Sequence, residues 1–473
     1  MSQTPLSVMH LIPGARVVGS LADRPLHRVH SDTRTLEADD CFVALRGERF
    51  DGHTFLPELA AAQVRLALAH GGLAPSGLSG VEVEDTRIAL GQWASLWREQ
   101  MSMPVIAVTG SNGKTTVTQM IASILRTAYG PQMHATQGNY NNEIGVPLTV
   151  LGLRPGQRAA VIELGMNHPG EIDGLARIAQ PNVALVNNAQ REHQEFMSSV
   201  QAVAEENACV FAHLRSGGVG VFPHADAFHR LWETRIAERS EQVHACQTWT
   251  FGVDQPDATV WATADWRSDH WLVHAHTPVG ETTFSLSMAG KHNVMNALAA
   301  LTCALAAGVP LSQAHLGLQV FQPVAGRSRL LPMTVGGHDI AIVDDTYNAN
   351  PDSVLAAIAV LASLPKPQWL VLGDMGEVGQ QALAFHQEVI RAALAAQIDR
   401  IDVTGEWMNQ AAQTLTHTPG VQTWPSVQEL AAQAPSLVKP MNAVLIKGSR
   451  FMRMEQVLNA LTAASQERTP HAA

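Results

Sequence analysis

The sequence predicts an α/β fold in three domains, and three observations lead there. Short apolar runs alternate with amphipathic helical patterns along most of the chain. At 473 residues the chain is too long for one hydrophobic core, and Pro104 and Pro323 punctuate it where the pattern changes. The second segment opens with an apolar strand that runs through a glycine turn into Lys-Thr-Thr. The expected domains are 1–102, 103–323 and 324–473.

Residues 1–102 read as a small α/β domain. Asp40–Leu45 is strand-like and is followed by a glycine-containing turn at Arg46–His53. Leu56–Gln63 is helical, Arg65–Ala69 is a short apolar strand, and Gly71–Gly80 is a loop. Thr86–Gln100 is an amphipathic helix with Ile88, Leu90, Trp93, Leu96 and Trp97 on one side.

The central segment begins with the strand Val105–Thr109, a loop, and a helix through Arg126. Ala159–Leu164, Val183–Asn187 and Val219–Phe222 are continuous apolar runs, as strands of a mostly parallel sheet covered on both faces would be. Between Trp249 and Met288 the composition turns to Thr, Val and Trp in short alternations, which predicts an antiparallel β excursion. A helix follows over Asn293–Ala307. In the third segment the strands Ile340–Asp344, Trp369–Gly373, Arg400–Thr404 and Ala443–Lys447 alternate with helices, giving a Rossmann-like, doubly wound α/β domain. The tail Gln466–Ala473 reads as frayed.

Composition narrows the function. With 31 basic against 42 acidic residues the net charge is -11, which argues against a nucleic-acid binder. The four cysteines form no CxxC pair and read as free thiols of a reducing compartment. The N-terminus lacks an export signal, and no run of about 18 apolar residues appears. A cytoplasmic protein without membrane insertion is expected. The 21 histidines show no HExxH spacing, so most are ordinary core or surface residues.

The strongest local signal is the loop Thr109, Gly110, Ser111, Asn112, Gly113, Lys114, Thr115 and Thr116. Its glycines let backbone amides point at an anion, and the following helix N-terminus adds partial positive charge. Lys114 would reach the β- and γ-phosphates of ATP, and the Thr115 hydroxyl would ligate Mg²⁺. Val108 stands where the general pattern has its first glycine. Glu163, at the end of an apolar strand, is placed to hold Mg²⁺ opposite this loop. Asn187, Asn188, His193 and Glu195 follow the next strand; metal or phosphate binding and a loop cap with a solvated His are equally open readings. A kinase, a hydrolase and a ligase all remain compatible with a phosphate loop alone.

TGSNGKTT resembles the phosphate loop of the Mur ligases, the cytoplasmic amide-forming enzymes of peptidoglycan synthesis, in which the first glycine is typically missing. Further stretches resemble family motifs in order: NYNNEIGVP (139–147), ELGMN (163–167), GKHNVMNA (290–297), FQPVAGR (321–327), DDTYNANPDS (344–353), GDMGE (373–377) and KGSR (447–450). Upstream, SDTR (31–34) and Phe42–His53 resemble the region that holds the uridine nucleotide. NNEIG with DDTYNANPDS is most similar to the branch that joins D-alanyl-D-alanine to UDP-N-acetylmuramoyl-tripeptide.

The resemblance implies ATP-driven ligation through an acyl phosphate, on a monomer, with ATP and Mg²⁺ as cofactors. It implies Thr115, Glu163 and His193 as metal ligands, with Lys114 and Arg327 on phosphate. His292 is a further match. Asn293 and Asn296 would contact the adenine and nearby nucleotide atoms. Asp345, Tyr347 and Asn348 would line the nucleotide or amine side. Ser31, Asp32, Thr33, Arg34, Asn141, Asn142, Glu143, Asn350, Lys447 and Ser449 would contact substrate. Without the motif set each has a plainer reading: Arg327 in a surface ion pair, Asn293 and Asn296 as helix caps, Asp344 and Asp345 in a turn, Lys447 solvated.

One departure stands out. Many family members carry a carbamylated Lys about fourteen positions after the His matched by His193, and ungapped counting puts Asn207 there. Such a metal site is not expected here, and Asn207→Ala is expected to have a modest effect. Glu205 and Glu206 are near, but helical spacing aims them elsewhere. The competing functions are a ligase adding a single amino acid, a folate polyglutamate synthase, and a non-catalytic nucleotide-binding regulator.

Overall fold

The computed structural model describes residues 4–21, 26–48, 50–267, 269–335, 337–415 and 420–466. Arg49, inside the turn read at Arg46–His53, and the tail beyond Gln466 lie outside them. Among the described residues no helix is long and apolar enough to cross a membrane.

Three mostly parallel sheets organise the chain, so the α/β expectation holds. The first has five strands in the order Arg16–Val18, Ser79–Glu82, Leu66–Ala69, Cys41–Val43, Val29–His30, with only the first pair antiparallel. Ser79–Glu82 is a buried strand, so the loop expected over Gly71–Gly80 ends two residues early. The glycine at its second position misled: Gly80 has φ 150°, and a Cβ there would strike the Ala67 carbonyl, so the strand needs a residue that usually signals a turn.

The central sheet has nine strands. From one edge they run Gly280–Leu286, His270–Thr277, Val260–Arg267, Gln247–Val253, Val219–Pro223, Val183–Val186, Val105–Thr109, Ala159–Glu163, Met133–Ala135. The antiparallel excursion is smaller than expected. Gln247–Val253 pairs in parallel with both neighbours, and antiparallel pairing begins only between Val260–Arg267 and His270–Thr277. The connection at 254–259 turns back tightly, held by hydrogen bonds exchanged between Thr250 and Thr259, so alternation alone did not report the strand direction.

The third sheet runs Arg329–Val335, His338–Asp345, Ala443–Lys447, Gln368–Leu372, Arg400–Thr404, Val421–Trp424, parallel except for the first hairpin. Its two edge strands were not read from sequence. Arg329–Val335 contains Pro332, and Val421–Trp424 is four partly exposed residues, so both lack the continuous apolar signature.

One apolar core joins the first and central domains. Trp93, Trp97 and Leu90 of the helix Thr86–Glu99 bury against the helices Gly145–Leu151 and Glu171–Ala179. Arg98 is fully buried in that joint and donates to the carbonyls of Ala179 and Met101 and to Asn182 Oδ1, at 2.8–2.9 Å. Burial pulls its guanidinium down to about 9.

Candidate active site

Ligands of open parallel sheets collect at strand carboxyl ends. Here the carboxyl ends of the central and third sheets face one cleft of about 1190 Å³, with the phosphate loop and Glu163 on one wall and Asp345, Lys447 and Ser449 on the other.

The phosphate loop is shaped by its glycines and by amides beneath it. Gly110 has φ 122° and Gly113 φ 83°; a Cβ on Gly113 would lie 2.5 Å from Asn296 Oδ1 and 2.7 Å from Asn187 Nδ2. Asn187 and Asn188 donate to the Asn112 carbonyl at 2.8 and 2.9 Å, and Asn188 Oδ1 accepts from Asn112 N at 2.9 Å. These two asparagines brace the loop, and His193 beyond them is not solvated, its side chain being 15% exposed. Asn207 is fully buried, and its Oδ1 accepts from Thr109 Oγ1 at 2.7 Å and Gly110 N at 2.8 Å. It therefore sits under the loop and builds it. Glu206 instead caps the helix Glu171–Ala179, accepting from Gly170 N and Ile172 N, and Glu205 accepts from Gln201. Both are aimed away from the cleft, as helical spacing indicated.

Lys114 begins the helix Lys114–Tyr129, and its Nζ folds back to donate to the carbonyls of Gly110 (2.5 Å) and Ser111 (2.9 Å) and to Glu192 Oε2 (3.2 Å). Behind it the Thr115 hydroxyl and Asn141 Nδ2 both donate to Glu163 Oε1, at 3.1 and 2.8 Å. Glu163 Oε2 is buried and has no hydrogen-bond partner among the described residues.

After the strand Val183–Val186 the chain crosses to the third domain. Arg191 binds Asp352 and Glu388 with both ends of its guanidinium, at 2.6–3.2 Å, and these carboxylates hold its proton well above the ordinary Arg range. His193 Nδ1 lies 2.5 Å from Glu377 Oε2, and the imidazole holds that carboxyl below its usual range. Asn112 and Asn350 join the walls directly, Asn350 Nδ2 donating to Asn112 Oδ1 at 2.9 Å.

On the third-domain wall, Asp345 and Lys447 form a buried ion pair at 2.6 Å. Lys447 also donates to the Asn348 carbonyl, and Asp345 accepts from Ser328. Lys447 is therefore not solvated. Ser449 accepts from Gly376 N and donates to the Ala349 carbonyl. Arg327 lies over the Tyr347 ring at 4.0 Å and joins no ion pair among the described residues. Asn350 caps the helix Pro351–Ala362 through a capping box.

Asn293 and Asn296 line the cleft but cap nothing: Gly290 holds the cap position of their helix, Asn293 donates to the Ala289 carbonyl, and Asn296 bridges Asn293 and Asn187. His292 lies beside them, and burial lowers its proton affinity. Asn142 Oδ1 accepts from Gly145 N at the start of the helix Gly145–Leu151, and Glu143 approaches Arg87 of the first domain at 3.7 Å. Ser31–Arg34 are not brought to this cleft; Asp32 caps a short turn and is forked by Arg34. Arg191, Glu192 and Asp352 were missed. Glu192 is buried against Lys114, and Asp352 anchors Arg191. The only sequence signal was their place inside the runs REH and NPDS.

Two family descriptions match the chain, the Mur ligase middle domain over residues 108–304 and the Mur ligase glutamate ligase domain over 327–450. The UDP-N-acetylmuramoyl-tripeptide–D-alanyl-D-alanine ligase of Escherichia coli (strain K12) is 35% identical over 450 residues, covering 93% of this chain and 94% of that one. The Bacillus subtilis (strain 168) protein of the same name is 31% identical over 98% of each chain. The crystal structure of MurF from Acinetobacter baumannii matches with a TM-score of 0.86 at 32% identity, over 98% of this chain and 99% of that one. Folylpolyglutamate synthase from Thermotoga maritima, at 15% identity and a TM-score of 0.59, shares the fold alone. With identity of this extent running the length of the chain, over a phosphate loop, a strand-end carboxylate and a second sheet that closes the cleft, the chain belongs to the Mur ligase family, on the branch of the UDP-N-acetylmuramoyl-tripeptide–D-alanyl-D-alanine ligases.

Proposed function

We infer that this chain joins D-alanyl-D-alanine to UDP-N-acetylmuramoyl-tripeptide with hydrolysis of ATP to ADP and phosphate, as a cytoplasmic monomer. One observation carries the reading: a braced phosphate loop and a second parallel sheet present their strand ends to the same cleft, as joining two substrates beside a triphosphate requires. The tripeptide carboxylate attacks the γ-phosphorus and ADP leaves; the dipeptide amine then attacks the acyl carbon and phosphate leaves. The protein's part is positioning and charge neutralisation. The loop amides and Lys114 hold the phosphates, and Arg327, held over the Tyr347 ring, is available to the transferring phosphoryl group. The amide brace Asn187–Asn296 carries the loop's geometry toward the nucleotide side, with Asn293 behind it.

Among the described residues no three His, Cys, Asp or Glu side chains cluster as a preformed metal cage. The donor set nonetheless fits Mg²⁺, which binds through one or two carboxylates and substrate phosphates. The unpartnered Glu163 Oε2 and the adjacent Thr115 hydroxyl would hold it, with His193 as a further ligand. Bound there, Mg²⁺ supplies positive charge to the phosphate oxygens. The proposed domain limits remain 1–102, 103–323 and 324–473, with Ser31–Arg34 on the uridine side.

Phosphate release from ATP is expected only when both UDP-N-acetylmuramoyl-tripeptide and D-alanyl-D-alanine are present. Release that depends on a single amino acid would overturn the branch-level activity, and release that no acceptor stimulates would favour the regulator.

A further inference from the structure

Three consecutive residues after the strand Val183–Val186 point alternately to the two walls of the cleft. Arg191 holds the third domain through Asp352 and Glu388, and His193 faces it with Nδ1 2.5 Å from Glu377 Oε2. Glu192, between them, turns the other way and meets Lys114. Its carboxylate is 5% exposed, Oε2 lies 3.2 Å from Lys114 Nζ and 3.7 Å from His193 Nε2, and Oε1 has no hydrogen-bond partner among the described residues. A buried carboxylate with one satisfied oxygen beside an anion-binding loop is unfavourable unless its charge does something there.

We propose that Glu192 is a positioning residue for Lys114, holding the ammonium on the phosphate loop and yielding it to the incoming triphosphate, so that phosphate binding loosens the strap that grips the third domain. The inference rests on the reading that this loop binds nucleotide phosphates. A triphosphate competes with Glu192 for one ammonium, and two anions cannot both stay within hydrogen-bond reach of it without repelling each other. Because Arg191 and His193 are its chain neighbours, a shift of Glu192 is transmitted to Asp352, Glu388 and Glu377 as a backbone movement rather than through a chain of side chains.

Titration calorimetry on the full chain, with Mg²⁺ and a non-hydrolysable ATP analogue, tests this. Glu192→Gln removes the competing charge and is expected to bind the analogue about tenfold more tightly, the scale of a hydrogen bond to a charged group. Its kcat and KM for ATP should fall together, since ADP is also held longer. Arg191→Ala, which frees the strap from the other side, is expected to tighten binding severalfold in the wild-type background and to change nothing in the Glu192→Gln background. A merely structural role for Glu192 would give additive effects. Wild-type protein that takes up no analogue would sink the nucleotide reading itself. Wild-type uptake with unchanged or weaker affinity in Glu192→Gln overturns this inference alone. Should Glu192→Gln melt below the assay temperature, Arg191→Ala decides, and unchanged affinity there counts against the strap.

Discussion

The central wall of the cleft is built on neutral amides, the third-domain wall on ions. Beneath the phosphate loop, Asn187, Asn188 and Asn207 satisfy the Thr109 hydroxyl and backbone groups of Gly110 and Asn112 without adding charge. Across the cleft, strand ends are tied by Asp345 with Lys447, and Arg191 of the connecting strap by Asp352 and Glu388. The difference separates two uses of polar residues. Amide bracing takes up the N–H groups of Gly110, Ser111 and Asn112 without adding charge, so the partial positive charge of the helix terminus that starts at Lys114 is available to a ligand. Ion pairing spends charge internally: Lys447, expected from the motif to meet substrate, already gives two of its three N–H groups to Asp345 and the Asn348 carbonyl.

Substitutions can break this contrast. Lys114→Ala is expected to lower kcat/KM about 10³-fold with folding retained, because fixed charge on a transferring phosphoryl group is worth roughly 4 kcal/mol, while the stability lost by leaving Glu192 without its cation is smaller than the whole stability of the fold. Phosphate release and thermal melting together check it, and an unfolded variant would place Lys114 with the structural ions. On the opposite wall the outcome should invert. Lys447→Met leaves Asp345 buried and unpaired, a loss of about 3 kcal/mol in denaturant unfolding. The double variant Lys447→Met with Asp345→Asn should recover part of that, since it removes the orphaned charge. Equal losses in the single and double variants would argue that the pair is not the source.

Asn207→Ala comes next, and here the structure reverses the sequence expectation of a modest effect. Two donors, Thr109 Oγ1 and Gly110 N, would be left unsatisfied in a fully buried position, at about 2 kcal/mol. Activity should fall with stability because the displaced atoms belong to the loop itself. Stability within error of wild type would return Asn207 to the minor role its sequence position suggested.

These cases also show how far the sequence could be read. The phosphate loop was legible because its chemistry is local: strand, glycines, Lys and helix start follow one another along the chain. The buried parallel strands were legible from continuous apolar runs. Asn207 was not, since ninety-seven positions separate it from the amide it serves and nothing local marks its direction. Glu192 was hidden by a turn that points neighbouring side chains to opposite walls, and His193 at φ 48° is part of that turn. Edge strands such as Arg329–Val335 escaped because exposure on one side removes the apolar signature. Long-range pairing and backbone reversals, not residue type, set the limit.

The smallest expected effect is a pH dependence that sharpens the contrast on the third-domain side. His386 is fully buried; its Nδ1 faces the Ala382 carbonyl at 2.6 Å and its Nε2 accepts from Met375 N at 2.9 Å, so it is held as the neutral tautomer with the proton on Nδ1. Burial lowers its proton affinity from the ordinary 6.5, even with Asp374 nearby. The unfolded chain therefore binds a proton at a higher pH than the folded one does. Stability contributed by this site is intact above about pH 6.5 and declines as pH falls below it, by at most about 1.4 kcal/mol per pH unit for one proton. Met375 belongs to the loop that carries Glu377, so acid should loosen the anchor of the His193 contact before it touches the amide-braced phosphate loop. Unfolding midpoints of wild type and His386→Gln, compared between pH 8 and pH 5, should diverge at pH 8 and converge on the acid side, since the variant has no proton to take up there. Parallel curves for the two proteins would mean that His386 does not sense pH, and that the third-domain wall owes its acid sensitivity to other groups.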